Sequence, residues 1–501
     1  MASAAAALEQ AAPQQPQAQI KLFTRHPDIA VSSAPLLVPT SLKRYGLSQI
    51  VNHLLDVSKP VPFDFLIDGA FLRTSLDEYL TANGLSSEST LTLEYVRSIL
   101  PPVHLASFEH DDWVSSVATI SASTGDDGLR KKGDFLSQGQ SRILSGSYDG
   151  IARVWNLSGQ VMTQASGHTA AIKTVGWIAQ KRFLTGSIDQ TVRLWGYEEP
   201  SSDDDIVADS TGVVTPIAEF RAHKGPINSI SISPATNQFL TASADGTIGL
   251  WSTNPSTSPP APATSVPSRQ IKKRKTTSSN SPQIPQLGPI SILTQPNPTT
   301  PSTHQPVSAA IFHPHDAQFA YSTTWSHQIL THDLLTSSIV DTRTTPHPIL
   351  SLTCLPKLSL LACGSSARHI TLHDPRASST TISQATLRGH TNAVVDLSPS
   401  PTSEFLLVSA SHDGYCRVWD VRAVGSGGGG GATGDAESGK STGTLYTIKR
   451  ESGTGGKVFG VEWTREVGIV SGGEDKIVQI NTGVNVAGEG GGIVGVLSGA
   501  K

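Results

Sequence analysis

Four times the chain spells nearly the same phrase: GSYDGIARVW at 146–155, GSIDQTVRLW at 186–195, ASADGTIGLW at 242–251 and ASHDGYCRVW at 410–419. In each, a Ser stands two residues before an Asp, and a Trp follows that Asp by six. Self-similarity at a period near 40 marks a small supersecondary unit of about four strands, which buries its apolar face only by stacking on copies of itself. Most of the chain is therefore a rigid platform. Function is to be sought in partners rather than in chemistry.

Weaker copies fill the intervals. The run at 321–333 keeps the strand pattern but places His332 where the Trp belongs; 361–374 does the same with His373, and 469–481 keeps Asp475 but ends at Asn481. Three intervals are longer than one repeat, and each contains a segment of biased composition: acidic at about 198–212, Pro/Ser/Thr-rich at 252–287, and Gly-rich at 421–441. With these set aside the spacing is uniform and the count is seven. The pattern resembles WD repeats, which build four-stranded blades of a β-propeller. The resemblance implies an Asp–His–Ser–Trp hydrogen-bond chain in three repeats: His168, Ser187, Asp189 and Trp195; His223, Ser243, Asp245 and Trp251; His390, Ser411, Asp413 and Trp419. A Ser, a His and an Asp also suggest a hydrolase triad. That reading fails, because the set recurs once per repeat, always ends in Trp, and has no G-x-S-x-G elbow beside it.

Bulk properties narrow the field. A net charge of −4 over 501 residues gives no reason to expect bulk nucleic-acid binding. Cys354, Cys363 and Cys416 lack metal-ligand spacing and read as buried free thiols in a reducing compartment. No run approaches 18 apolar residues, so no membrane span is expected. Residues 1–18 lack the regions of a signal peptide and read as a disordered leader, which suits a soluble intracellular protein.

Ahead of Trp113 the repeat vanishes. A strand-like run at 19–25 leads into TSLKRYGLSQIVNHLL, where Thr40 or Ser41 is placed to cap a helix and Leu47, Ile50, Val51, Leu54 and Leu55 share one face. VPFDFLIDGAFLR reads as a hairpin turning at Asp68-Gly69, SLDEYL as a short helix with Ser75 and Glu78 spaced as a capping box, and LTLEYVRSIL as a closing strand. The order resembles ubiquitin. The whole fold is therefore expected to be mostly β: a small α+β ubiquitin-like domain over 19–100, a short linker over 101–112, a seven-bladed propeller over 113–481, and a Gly-rich tail over 482–501.

The phrases SLKRYGLSQIVNHLL, KPVPFDFLIDG, LRTSLDEYL, GLSSES, DWVSSV, SGSYDGIARVW and LACGSSARHITLHDPR, with both domains in this order, resemble one family. It is the eukaryotic WD-repeat ribosome-biogenesis factor of the Ytm type, the WD-repeat member of the PeBoW complex. The resemblance covers about 20–480. It implies a non-enzymatic factor that matures the large ribosomal subunit in the nucleolus and nucleoplasm, in a trimer with pescadillo and the block-of-proliferation protein on pre-60S particles. It further implies release by midasin, an AAA+ ATPase whose adhesion site holds Mg2+. The family's acidic ligand to that metal falls on Glu88 in GLSSES, with Asp77 and Glu78 as the nearest competitors.

KKRK at Lys272, Lys273, Arg274 and Lys275, within the Pro/Ser/Thr-rich insertion, reads as a nuclear-localisation signal. His313 and His315 lack further ligands. No metal and no cofactor is assigned to this chain alone. Two rivals stand beside this reading: a Notchless-type factor with the same domain order, and a WD-repeat ubiquitin-ligase adaptor.

Overall fold

The computed structural model describes residues 16–56, 60–86, 88–98, 100–121, 141–199, 212–262, 284–294, 305–377, 385–423, 443–450 and 456–483. They divide into two compact units, residues 1–99 with 422–434, and 100–421 with 435–501.

The first unit is built on a five-stranded sheet in the spatial order Leu36–Pro39, Gln17–Phe23, Leu91–Arg97, Phe63–Ile67, Ala70–Phe71. Gln17–Phe23 and Leu91–Arg97 run parallel at its centre, with Ile20 opposite Leu91. Alternation sorts the first strand, sending Ala18, Ile20 and Leu22 inward onto Phe63, Phe65, Leu93 and Tyr95. The helix Arg44–Leu55 seats Leu47 and Val51 in that core. Leu54, expected on the same face, is 44% exposed instead. The helix also begins later than Thr40 or Ser41 allows: its N-cap is Lys43, without a side-chain cap. Thr40 instead works through its backbone, its carbonyl accepting from Asp77 N at 2.9 Å. Asp68 and Gly69 both take positive φ, 48° and 77°, as a two-residue primed turn demands.

The second unit contains seven sheets among the described residues. The first blade runs outward through Val114–Ile120, Arg142–Ser147, Ile151–Trp155 and Val161–Ser166. Its neighbours follow the same order, with inner strands Ile172–Ala179, Ile227–Ser233, Val307–Phe312, Ile349–Leu355, Val394–Pro399 and Val458–Thr464. Each inner strand packs beside the next, and the seventh packs beside the first, so the ring is closed. Side chains stitch the inner strands across the seams. Ser115 Oγ donates to Ile172 O at 2.6 Å, Asn228 Nδ2 donates to Val307 O at 2.7 Å, and Val461 N donates to Asp396 Oδ2 at 2.8 Å. Aromatic clusters fill the wedges between blades, as where Phe220 of the second blade meets Trp251 of the third edge-on at 5.5 Å.

Two expectations need correction. Residues 101–112 are not a linker, because Val103–Glu109 is the outermost strand of the seventh blade, antiparallel to Ile477–Thr482. A sequence repeat begins with the outer strand of the preceding blade, so the last blade lacks one strand until the front of the chain supplies it. The segment 252–287 is also not wholly outside the sheets. Gln286–Leu287 adds a fifth, parallel strand to the second blade at Glu219 and Phe220. The long stretch lies inside the third blade, between Thr247–Ser252 and Ser291–Thr294. The segments at 198–212 and 421–441 likewise fall between the third and fourth strands of the second and sixth blades.

Candidate functional site

Glu88 sits between the helix Leu76–Asn83 and the strand Leu91–Arg97 of the first unit. Gly84, with φ 64°, ends the helix in the left-handed region, where a Cβ is disfavoured. Leu85 N returns to Leu80 O at 2.9 Å to close the helix end. Ser86 then organises the turn. Its Oγ accepts from Glu88 N at 3.3 Å, while its carbonyl accepts from Ser89 N at 3.2 Å and Ser89 Oγ at 2.6 Å. Thr90 Oγ1 donates to Gln19 Oε1 at 2.6 Å, which anchors the far side of the loop to the central strand. Glu88 is exposed at the crown, and among the described residues its carboxylate takes neither a hydrogen bond nor an ion pair. Ser87 lies outside the described residues. The turn fixes the Glu88 backbone and leaves its carboxylate free, so a hard oxygen is available to complete a divalent cation's shell.

The competitors are occupied otherwise. Glu78 N donates to Ser75 Oγ at 3.3 Å, so Ser75 is the N-cap. Asp77 and Glu78 stand in the first helical turn, where their charge complements the unpaired amides.

The repeated His, Asp and Trp residues do meet in the second unit, but around a different hydroxyl. In the second blade His168 Nε2 and Trp195 Nε1 share Thr185 Oγ1, at 2.7 and 2.8 Å, while His168 Nδ1 faces Asp189 Oδ2 at 2.9 Å. Thr241 takes the same place with His223 and Trp251, and Ser409 with His390 and Trp419. The expected Ser187, Ser243 and Ser411 lie two residues on and pin the Asp turn instead. Each accepts from the Asp backbone N–H, and each donates to a loop carbonyl: Ala171, Gly225 and Asn392 respectively. The cause is the strand period of two. Both hydroxyls face the same side of the strand, and only the first lies a single diagonal step from the Trp, whose cross-strand partner in the second blade is Phe183.

Burial works against the charge on Asp189, but His168 and Thr191 outweigh it and hold the carboxyl well below the ordinary range; Asp245 is held likewise by His223 and Thr247.

Three further blades carry related sets, in which the sequence pattern marks His332 and Asp475 but neither His110 nor Arg450. In the first blade His110 Nε2 and Trp155 Nε1 share Ser145 Oγ at 2.7 and 2.8 Å. The segment 122–140 separates His110 from its phrase, which masks the spacing. In the fourth blade His332 stands in for Trp and meets Ser322 Oγ at 2.8 Å. In the seventh, Arg450 replaces His and reaches Ser471 Oγ at 2.7 Å and Asp475 Oδ1 at 2.6 Å. These sets bind the fold together.

At the centre of the ring a cavity of about 370 Å³ is lined by Val117, Val175, Trp177, Ile232 and Glu462, among others. Glu462 accepts from Thr119 N across the seam between the seventh and first blades. Burial pushes its carboxyl up to about 7, and that of Asp396 up to about 6. Among the described residues no cluster of three His, Cys, Asp or Glu is placed to hold a metal ion, and no helix is long and apolar enough to cross a membrane. Lys272, Lys273, Arg274 and Lys275 lie outside the described residues.

The NLE (NUC135) domain family matches residues 18–80, and the WD domain, G-beta repeat family matches 159–196, 214–252 and 382–420. The fold and these matches define a WD-repeat protein with an NLE domain in front. The chain is 49% identical to the ribosome biogenesis protein ytm1 of Aspergillus niger, across 97% of this chain and 98% of that one. Ribosome biogenesis proteins of the same name from Emericella nidulans and Ajellomyces capsulatus are 49% and 48% identical, over 94% and 95% of this chain and 96% of each of theirs. The chain belongs to the Ytm1 family of ribosome biogenesis proteins.

Proposed function

We propose that the protein is a non-enzymatic assembly factor of the large ribosomal subunit. It works in the nucleolus and nucleoplasm, in a trimer with pescadillo and the block-of-proliferation protein on pre-60S particles. The propeller docks on the block-of-proliferation protein, and the ubiquitin-like domain is the handle by which midasin removes the factor. Glu88 supplies an oxygen to the Mg2+ of midasin's adhesion site, in trans. The observation that carries this reading is the free carboxylate of Glu88 on a turn stitched by Ser86, in a chain of a ribosome-biogenesis family. The KKRK cluster delivers the protein to the nucleus.

The test is copurification from cells with wild-type, Glu88→Ala and Glu88→Gln protein. Both variants keep pescadillo and the block-of-proliferation protein and lose midasin, and EDTA removes midasin from the wild type. Normal midasin recovery with Glu88→Ala overturns the assignment. A cullin or RING protein in place of pescadillo favours the ligase-adaptor reading.

A further inference from the structure

Tension on the leading unit enters the propeller along the chain at the outer strand of the seventh blade, and also at the ends of residues 422–434, which belong to the same unit. Only residues 98–102 separate Leu91–Arg97, the last strand of that domain, from Val103–Glu109, the outer strand of the seventh blade. This strand continues into the ring only at Glu109. It is also the strand that completes the seventh blade, paired from Val103 opposite Thr482 to Glu109 opposite Ile477.

Its two ends are held very differently. At the end where tension enters, Val103 is 65% exposed, and a register shift interrupts the ladder between Ile480 and Asn481. At the other end Phe108 is 4% exposed and stacks on Trp155 of the first blade at 5.3 Å. Gly159 packs so closely there that a Cβ would stand 2.9 Å from the Phe108 ring. Just beyond, His110 N donates to Lys476 O at 2.8 Å, and the His110 ring holds Ser145 of the first blade. The strand is soft where it is pulled and firm where it seals the seam. An edge strand has a backbone ladder on one side only, so its resistance to removal comes from that ladder and from Phe108.

We propose that Val103–Glu109 is a force-sensitive latch. Traction on the leading domain strips it from Ile477–Thr482, withdraws Phe108 from the seam between the seventh and first blades, and opens the ring before any other blade yields. This rests on the reading that extraction force is applied to the leading domain. It adds that the force loosens the propeller as well as carrying it away.

The test holds the full chain in an optical trap between an N-terminal handle and an azido side chain replacing Leu335, which is 74% exposed on the fourth blade. The first rupture is expected to release about 25 Å of chain contour, the reach of seven extended residues. A double variant, Val103→Cys with Thr482→Cys, places a disulfide across the soft end. Oxidation removes the early step and reduction restores it. The native thiols do not compete: Cys363 and Cys416 are buried and Cys354 is half-buried. Phe108→Ala, tested without the disulfide, lowers the force at which the step completes. An early event that survives oxidation, or a first rupture that unfolds the leading domain or the whole ring, overturns the latch. Because the trap contains this chain alone, the result is read independently of midasin binding at Glu88.

Discussion

Arg450 grips Asp475 through two hydrogen bonds, Nε to Oδ2 at 2.8 Å and Nη2 to Oδ1 at 2.6 Å, with both side chains 3% exposed. The pair occupies in the seventh blade the place that His and Asp occupy in the second and sixth. A planar guanidinium serves because it reaches the carboxylate and Ser471 together. Arg450→Ala strands a buried carboxylate and is expected to cost about 3–5 kcal/mol in urea unfolding followed by Trp fluorescence. Adding Asp475→Ala returns part of that loss. Strict additivity of the two single losses would show that the residues are not coupled.

The shared hydroxyl gives a sharper mutational contrast than the expected serines. Thr185→Val leaves the His168 ring and the Trp195 indole without their common partner and is expected to cost about 1–3 kcal/mol; Thr185→Ser keeps the oxygen and costs less. Ser187→Ala frees only the turn, with a smaller loss. The order of melting temperatures, with Thr185→Val lowest, checks the assignment.

Acid acts on the ring in two opposite senses. Burial lowers His110, His332 and His373 to about 4, the positive charge of Arg153 adding to it at His110 and that of Arg343 at His373. These rings stay neutral when folded while their unfolded counterparts take a proton below about 6.5. Their contribution is complete above that pH and is lost as pH falls toward 4.

Glu462 runs the other way. Its raised pKa means that the folded state holds the extra proton, so its penalty is present above pH 7 and is relieved on acidification. Glu462→Gln is expected to stabilise the protein at pH 8 by on the order of 1 kcal/mol, and the advantage vanishes by about pH 4.5. Melting curves of variant and wild type across that range decide the point, since a gap independent of pH contradicts it.

Glu88 is expected to matter to partners alone. Glu88→Ala changes folding stability by less than about 0.5 kcal/mol, because the carboxylate is exposed and holds no hydrogen bond or ion pair among the described residues. Ser86→Ala unpins the turn and weakens partner capture while leaving the carboxylate in place. A large drop in melting temperature for Glu88→Ala would assign the residue to the fold.

The repeat phrases made the blades legible because a hairpin with a fixed Asp turn leaves its spacing in the sequence. Spacing does not say which of two hydroxyls on one side of a strand an indole reaches, so it points to Ser187 where the structure has Thr185. Nor does it mark partners on distant segments. His110 and Arg450 reach their hydroxyls from outside the phrase, and Val103–Glu109 pairs with residues at the other end of the chain. No spacing rule marks Glu88, which only the family resemblance singles out. The part played by Ser86 became visible only with the turn folded.

The three biased segments share one address in the repeat, between a blade's third and fourth strands. At that joint added residues hang from the outer half of a blade and leave the circumference of the ring unchanged. The longest also returns beside its point of departure, with Pro260 bridged to Leu287 and Gly288 N bonded to Pro259 O at 2.7 Å. A stem closed in this way makes the length beyond it nearly indifferent to the blade, since loop-closure entropy grows only with the logarithm of length. Within this joint sequences can drift, lengthen or accept a fused label while the seven-part geometry stays fixed.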